Sequence, residues 1–309
     1  KNIAGETIRS SSTDKIVEKY GQTIVTVWWY RLQQILASFL PDKNIHLDSR
    51  CISFEQNDRE VEIYFENGKT AKADLLIGAD GLNSAVRNNL IADGKPRYLN
   101  SISWRAVIQD EHELLNPNEI VRIVSDKQFL FLINVGNGYL CWTSRKFASE
   151  YIPSANGDEI KSLILKDLTH WAEPIRKLIE TTPSEKIFEA PICDRPPLKT
   201  WSKGRVTLLG DAAHPMSPTR GQGANSTFED AWVLAGYLSQ ASTLEEALRK
   251  YEKERIERTS IIQTRSFESE KKQWQLNDKP TELKQPRNTD IDFNDWLYSY
   301  KPFAGAIAI

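Results

Sequence analysis

Hydrophobic and polar positions follow three patterns along this chain. Short continuous apolar runs occur at Ala73–Ala79 and Arg205–Gly210, each bounded by Gly or Asp, which is how buried strands of a parallel sheet read. Strict alternation marks a second set. Val61, Ile63 and Phe65 alternate within the strand-like span Ile45–Glu66, and Asn67-Gly68 supplies a hairpin turn. Ile102–Ile108, Phe129–Ile133, Tyr139–Thr143 and Ile187–Ile192 read as further strands, with Gly136-Asn137-Gly138 turning the chain between the middle pair. Helical spacing gives the third pattern. Leu32, Ile35, Leu36 and Phe39 follow Arg31 and stop at Pro41; Val86 and Leu90 follow the capping types Asn83 and Ser84; Asp158–Glu180 is interrupted at Pro174. Phe228, Ala231, Trp232, Ala235 and Leu238 predict an apolar helix face, opened by Asn225–Ser226 with Glu229 placed to complete a capping box. A long charged helix runs from Leu244 to about Gln273.

The remaining segments read more plainly. Residues 1–21 are strand or loop, Ile24–Tyr30 is extended, and 276–292 is a polar connector. Trp296, Leu297, Tyr298 and Tyr300 dock the C-terminal end on the body, and the short apolar tail Phe303–Ile309 is a packed or truncated end. The order of these elements places mixed antiparallel material, 93–200, between two pieces of a parallel sheet.

Composition narrows the class. A hydrophobic fraction of 40% over 309 residues supports a large core and two domains. A net charge of −2 with basic residues spread along the chain argues against nucleic acid as a partner. Cys51, Cys141 and Cys193 are odd in number and far apart, so neither a disulfide framework nor a metal site is expected; a reducing, cytoplasmic setting fits. No apolar run reaches the length of an integral membrane segment.

The stretch with most chemistry is Arg205–Leu238. Asp211 falls where the strand should end, the position at which open α/β sheets meet ligands. A loop containing Pro215, Pro218, Gly221 and Gly223 then feeds a helix start. Such a loop exposes backbone N–H groups at the positive end of a helix dipole, which suits anionic oxygen or an electron-rich ring nitrogen, and Asp211 adds an acceptor for hydroxyls. On the glycines alone, an ordinary strand–loop–helix explains the pattern equally well.

The whole string is more specific. Gly210-Asp211-Ala212-Ala213-His214-Pro215, Pro218, Gly221-Gln222-Gly223-Ala224-Asn225 and Glu229-Asp230-Ala231 resemble the second flavin motif of the FAD-dependent aromatic-ring monooxygenases. That is the family of para-hydroxybenzoate and salicylate hydroxylases and zeaxanthin epoxidase. Asp74–Arg87, containing Asp80-Gly81, resembles that family's Asp-Gly motif and stands roughly 130 residues earlier, in the family's order. Taken alone, Asp80 and Gly81 need be no more than a tight turn. Arg31, Leu32 and Leu36 fit a third family pattern; otherwise an exposed arginine lying over apolar surface suffices.

The resemblance implies an α/β fold with a Rossmann-like FAD-binding parallel sheet, an inserted mixed or antiparallel substrate-domain sheet and a C-terminal helix. It divides the chain into an FAD domain at 22–92 and 201–270, a substrate domain at 1–21 and 93–200, and a C-terminal segment at 271–309. It implies FAD bound by Arg31, Asp80, Gly81, Asp211, Pro218, Gly221, Gly223, Ala224 and Asn225. In the implied cycle NADH or NADPH reduces FAD, O2 gives a C4a-hydroperoxyflavin, and one oxygen passes to a small aromatic or isoprenoid-like substrate. Trp104, Arg105, Phe131 and Trp142 become candidate pocket residues, against the plainer reading that such aromatics are core. No catalytic base stands out, and His214 reads as structuring its loop. Tyr251, Arg255 and Arg258 match the family's packing helix. A monomer or homodimer is expected.

The family's N-terminal GxGxxG unit, which cradles the FAD pyrophosphate, is absent from this sequence. The expectation is a truncated, proteolysed or split chain, or residues lost from the numbering. Two alternatives stay open. One is a related flavin oxidoreductase, a halogenase or reductase, although the halogenase Trp-x-Trp-x-Ile-Pro motif is missing and Trp28-Trp29 does not match it. The other is a non-catalytic remnant acting as a binding module.

Overall fold

The computed structural model describes residues 1–302 except 9, 11–13, 22, 111–113, 116–118, 126–127 and 276–287. The tail Phe303–Ile309 and most of the 276–292 connector lie outside the described residues. The chain divides into two compact units, one formed by residues 1–44, 100–192 and 274–299, the other by 45–99, 193–273 and 300–309. Residues 22–44 therefore group with the inserted sheet.

The helices are α1 (Asp14–Tyr20), α2 (Trp29–Ala37), α3 (Ala85–Leu90), α4 (Gly157–Asp167), α5 (Glu173–Thr181), α6 (Gly223–Gln240), α7 (Leu244–Gln275) and α8 (Asn288–Tyr298). The strands are β1 (Cys51–Gln56), β2 (Val61–Phe65), β3 (Thr70–Ala73), β4 (Leu76–Gly78), β5 (Arg97–Gln109), β6 (Ile120–Val124), β7 (Gln128–Asn134), β8 (Tyr139–Phe147), β9 (Phe188–Asp194) and β10 (Val206–Leu208).

The first unit is built on a five-stranded sheet of order β6-β7-β8-β5-β9. Pairing is antiparallel through β6, β7, β8 and β5. Gly136-Asn137-Gly138 turns β7 into β8 with all three residues at positive φ (85°, 54° and 75°), as the sequence predicts. Period 2 separates the two faces. Trp104, Ala106, Leu130, Leu132, Leu140 and Trp142 point to one side, where α4 and α5 bury them with Ile160, Ile164, Ile175, Leu178 and Ile179. Pro174 does not interrupt one helix; it sits in the first turn of α5, where its missing N–H costs nothing. In the polar N-terminal stretch the described residues before Asp14 are turn and loop, as one of the two expectations had it, while Asp14–Tyr20 forms α1; α8 begins inside the expected connector. Near the C-terminal end of this unit Phe293 and Leu297 are buried, and the Tyr298 ring meets Tyr20 at 5.4 Å. The helix predicted from Arg31 starts at Trp29 and has no buried residue; Ile35, Leu36 and Phe39 are exposed.

The second unit holds the antiparallel sheet β1-β2-β3 and the parallel pair β10–β4. The apolar run Ala73–Ala79 splits: its first residue closes the β2–β3 hairpin, and Leu76–Gly78 pairs in register with Val206–Leu208. The core gathers Val61, Ile63, Val86, Trp201, Val206, Leu208, Val233 and Tyr251. The α6 face differs from the predicted one. Phe228, Trp232 and Leu238 are exposed, while Ser226, Asp230, Val233 and Leu234 are buried. The helix also begins at Gly223, two residues before the expected cap, so Asn225 and Ser226 lie within its first turn. Gln222 occupies the N-cap position without its side chain accepting from a helix amide, and Glu229 is drawn to Arg255 and Arg258 instead of a capping box.

Candidate flavin site

Two strand ends create the site. Gly78 and Leu208 are register partners in the parallel pair, and Leu209 N–H donates to the Gly78 carbonyl at 2.9 Å. Asp80 and Asp211 follow these residues, so both leave the carboxyl end of the pair, where α/β sheets bind ligands.

At the first end, Gly81 (φ 78°) makes the turn, and its carbonyl accepts from Ser84 N–H. Asp80 Oδ1 accepts the Ser84 hydroxyl, and Oδ2 accepts the Ala85 and Val86 amides at 2.7 and 3.2 Å. Ser84 Oγ in turn accepts from Arg87 N–H at 2.8 Å, the N-cap predicted from the sequence. Both Asp80 oxygens are thus committed to opening α3.

At the second end, Gly210 (φ 62°) starts a single 3-10 turn that carries Asp211. A Cβ at Gly210 would come within 2.9 Å of Thr227 Oγ1, so this position needs glycine for both space and backbone angle. Pro218 opens a second 3-10 turn, and Gly221 (φ 64°) ends it in the left-handed region before α6 begins. A Cβ at Gly223 would lie 3.8 Å from Asp211 Oδ1, so the structure brings Asp211 against the first turn of α6. Among the described residues, Asp211 has no hydrogen bond. It keeps access to water, but partial desolvation pushes its carboxyl above the ordinary aspartate value, and His214 only partly offsets this. The amides of Gly223, Ala224 and Asn225 have no intrahelical acceptor by helix geometry.

Beneath this turn lies a buried charge network. Asp230 is fully buried; its Oδ2 accepts from Gly210 N–H at 3.1 Å and meets His214 Nε2, and its Oδ1 accepts from Arg255 Nε at 2.8 Å. Burial alone would raise the Asp230 carboxyl; His214 and Arg255 hold it below the usual range. Glu229 takes Arg255 at 2.7 Å and both forks of Arg258 at 2.9 Å. His214 is fully buried against Trp201, and Nδ1 has no hydrogen-bond partner among the described residues. His214 therefore holds its loop, as the sequence reading expects. The loop is also clamped to α7: Glu270 accepts the Ser217 and Thr219 hydroxyls, and Gln263 donates to the Pro215 carbonyl at 3.1 Å.

Arg87 was not singled out from sequence, yet it ties the two ends together. It is fully buried, donates to the Ala212 and Ala213 carbonyls at 3.0 Å each, and pairs with Asp93, which Arg195 also reaches at 3.0 Å. The available signal was weak: α3 reads Ala-Val-Arg-Asn-Asn-Leu, in which an arginine beside two asparagines looks like a solvated face. Asp230 and Arg255 carry a clearer signal, an acidic pair in an apolar helix matched by arginines spaced three apart in the next.

The remaining candidates lie in the first unit. Arg31 is exposed on α2 and donates to Gln34 Oε1 at 3.2 Å. Trp104 and Trp142 are core residues, which corrects the expectation that they line a pocket. Their indole N–H groups donate to Glu189 and Thr182 at 2.7 and 3.0 Å, on the helix-covered face. Arg105 and Phe131 lie on the opposite face, in register through Thr143. A groove of about 560 Å³ opens there beside Arg105; its walls include Trp28, Tyr139, Lys186 and Phe188, none of which was a candidate. Among the described residues no cluster has the composition of a metal site, and no helix is long and apolar enough to cross a membrane.

Comparison with known proteins agrees with this geometry. Residues 31–266 match the FAD binding domain family. The aurachin C monooxygenase/isomerase of Stigmatella aurantiaca is 35% identical over 86% of this chain and 69% of its own length. The chloroplastic zeaxanthin epoxidase of an Oncidium hybrid cultivar is 34% identical over 75% of this chain, which spans 36% of that longer protein. Among solved structures, a Klebsiella pneumoniae HpxO variant complexed with FAD superposes with a TM-score of 0.82 at 24% identity, over 96% of this chain and 74% of that one, a likeness of fold. The chain belongs to the FAD-binding monooxygenases, a family of flavin-dependent oxidoreductases.

Proposed function

We propose that this protein works as a flavin-dependent monooxygenase on a small organic substrate, with NADH or NADPH as reductant and O2 as the oxygen source. When bound, FAD supplies the redox and oxygen-transfer chemistry, and the chain positions it and excludes water. The observation that carries this reading is the unspent carboxylate of Asp211 beside the uncapped first turn of α6. An aspartate with free acceptor oxygens suits the ribityl hydroxyls. The Gly223, Ala224 and Asn225 amides, at the positive end of an 18-residue helix, suit the ring edge that gains negative charge on reduction. Pro218 and Gly221 shape the turn that delivers those amides. Asp80 and Gly81 serve through the turn they build, and Arg87 transmits its position to the backbone after Asp211. Three described cysteines, all free thiols, support a reducing, cytoplasmic setting.

The test is an FAD titration followed by visible absorption, in wild type and Asp211→Ala. Expected is a perturbed flavin band that NADH or NADPH bleaches and air restores, with affinity reduced in the variant. Wild-type affinity that survives loss of Asp211 would remove the assignment of that side chain.

A further inference from the structure

The buried charge network behind the Gly210 turn meets a residue that lies far from both strand ends in the sequence. α8 groups with the first unit and ends at Tyr298, while Tyr300 groups with the second, where it is half-buried. Its hydroxyl donates to Glu254 Oε1 on α7 at 2.7 Å, and Tyr237 of α6 donates to Oε2 of the same carboxylate at 2.7 Å. Burial, and after it Glu254, pushes both phenols up to about 12, with Arg255 partly opposing this at Tyr300. The Tyr300 ring makes a further contact. Its centroid lies 3.8 Å from the Arg258 guanidinium and 5.5 Å from that of Arg255.

Those two arginines carry the support of the turn. Arg258 forks onto Glu229 at 2.9 Å, and Arg255 pairs with Glu229 at 2.7 Å and Asp230 at 2.8 Å. Asp230 in turn accepts from the Gly210 amide, one residue before Asp211. Contacts therefore run from Tyr300 through Arg255 and Asp230 to the backbone that presents Asp211. An aromatic ring on the flat side of a guanidinium excludes water there and leaves the edge N–H groups to carboxylates. Water in place of the ring would raise the local dielectric and weaken the ion pairs.

We propose that Tyr300 is a positioning residue for the flavin loop: its ring seats Arg255 and Arg258 on Asp230 and Glu229, and through Asp230 fixes the Gly210 amide and the backbone carrying Asp211. The ring does this work and the hydroxyl does not, because the hydroxyl is spent on Glu254. The consequence for FAD rests on the monooxygenase reading; the seating of the two arginines does not.

The experiment compares wild type, Tyr300→Phe and Tyr300→Leu. NMR of the flavin-free chains follows solvent exchange of the Arg255 and Arg258 Nε–H groups, with Arg87, equally buried in the same unit, as internal reference. An FAD titration read by visible absorption then follows in the same three chains. Expected in Tyr300→Leu is exchange about fivefold faster at Arg255 and Arg258 and FAD affinity about fivefold weaker, the size of a ring–guanidinium contact. Tyr300→Phe keeps the ring and should match wild type in both. A speed-up that Arg87 shares would be a general loss of stability and would overturn the proposal. Unchanged exchange in Tyr300→Leu, or a loss that Tyr300→Phe fails to restore, would overturn it too. Faster exchange with FAD affinity unmoved would remove the positioning role. Faster exchange in chains that bind no FAD, wild type included, would sink the flavin reading and leave the seating of the arginines intact.

Discussion

Asp80 and Asp211 occupy equivalent places at the ends of neighbouring parallel strands, yet the structure uses them oppositely. The chain after Asp80 enters α3 five residues on, so its carboxylate turns inward and is consumed by Ser84, Ala85 and Val86. The chain after Asp211 reaches α6 only twelve residues on, through a loop held from behind by Asp230, Arg87 and Glu270. That scaffold satisfies the backbone without drawing on Asp211, whose oxygens remain open beside Gly223. The difference is one of duty: the fold spends the Asp80 carboxylate on capping and leaves that of Asp211 available.

The largest effect comes from removing the support of the second turn. Asp230→Ala removes one of the two carboxylates that meet the buried Arg255 and orphans the Gly210 amide, so a loss of about 3–5 kcal/mol is expected in urea unfolding. The pH dependence sharpens this. The folded Asp230 carboxyl lies below its unfolded value, so its contribution is present above about pH 4 and is lost as pH falls through the lowered folded value. The variant loses that acid-side slope. Second, Asp211→Ala should weaken FAD binding about 10- to 100-fold, the size of a hydrogen bond to a charged acceptor, while unfolding without flavin changes little. Third, Asp80→Ala should cost about 1 kcal/mol of stability, as loss of a helix cap does, with a smaller change in FAD affinity than Asp211→Ala gives. If Asp80→Ala spared the fold and abolished FAD binding, the contrast between the two aspartates would collapse.

How much of this was visible in the sequence depended on whether a local pattern had one physical solution. Asp211 was legible because an apolar run, an Asp and a Gly- and Pro-rich loop converge on one geometry. Trp104 and Trp142 were misplaced because the sheet as a whole carries aromatics on both faces, Trp104 and Trp142 on one, Phe131 and Tyr139 on the other; the packing of α4 and α5 decides which face holds the two tryptophans in the core. α6 carries apolar residues on two sides. The stripe of Phe228, Trp232 and Leu238 is the more regular, but Asp230 must meet Arg255, twenty-five residues away, and that pairing turns Val233 and Leu234 inward. The groove was missed because Trp28 and Tyr139 are far apart in sequence and neither sits in a motif.

The smallest expected effect is the most direct on the role of Asp211. Its folded carboxyl lies above the unfolded value because the turn partly desolvates it. The sign is therefore opposite to that of Asp230: the ionised form is disfavoured by folding, and stability falls as pH rises from the unfolded value near 3.9 through the raised folded one. Asp211→Asn removes this titration and keeps the shape. Without flavin, the variant should be slightly more stable than wild type at pH 7, and the advantage should fade toward pH 3. With flavin, the order should reverse, since the amide replaces one acceptor oxygen by a donor. Thermal unfolding at the two pH values, with and without FAD, reads all four quantities. A variant less stable than wild type at pH 7 without FAD would mean that Asp211, like Asp80, serves the fold. A gain without FAD and a loss with it would mark a carboxylate kept at a cost to stability because a ligand needs it.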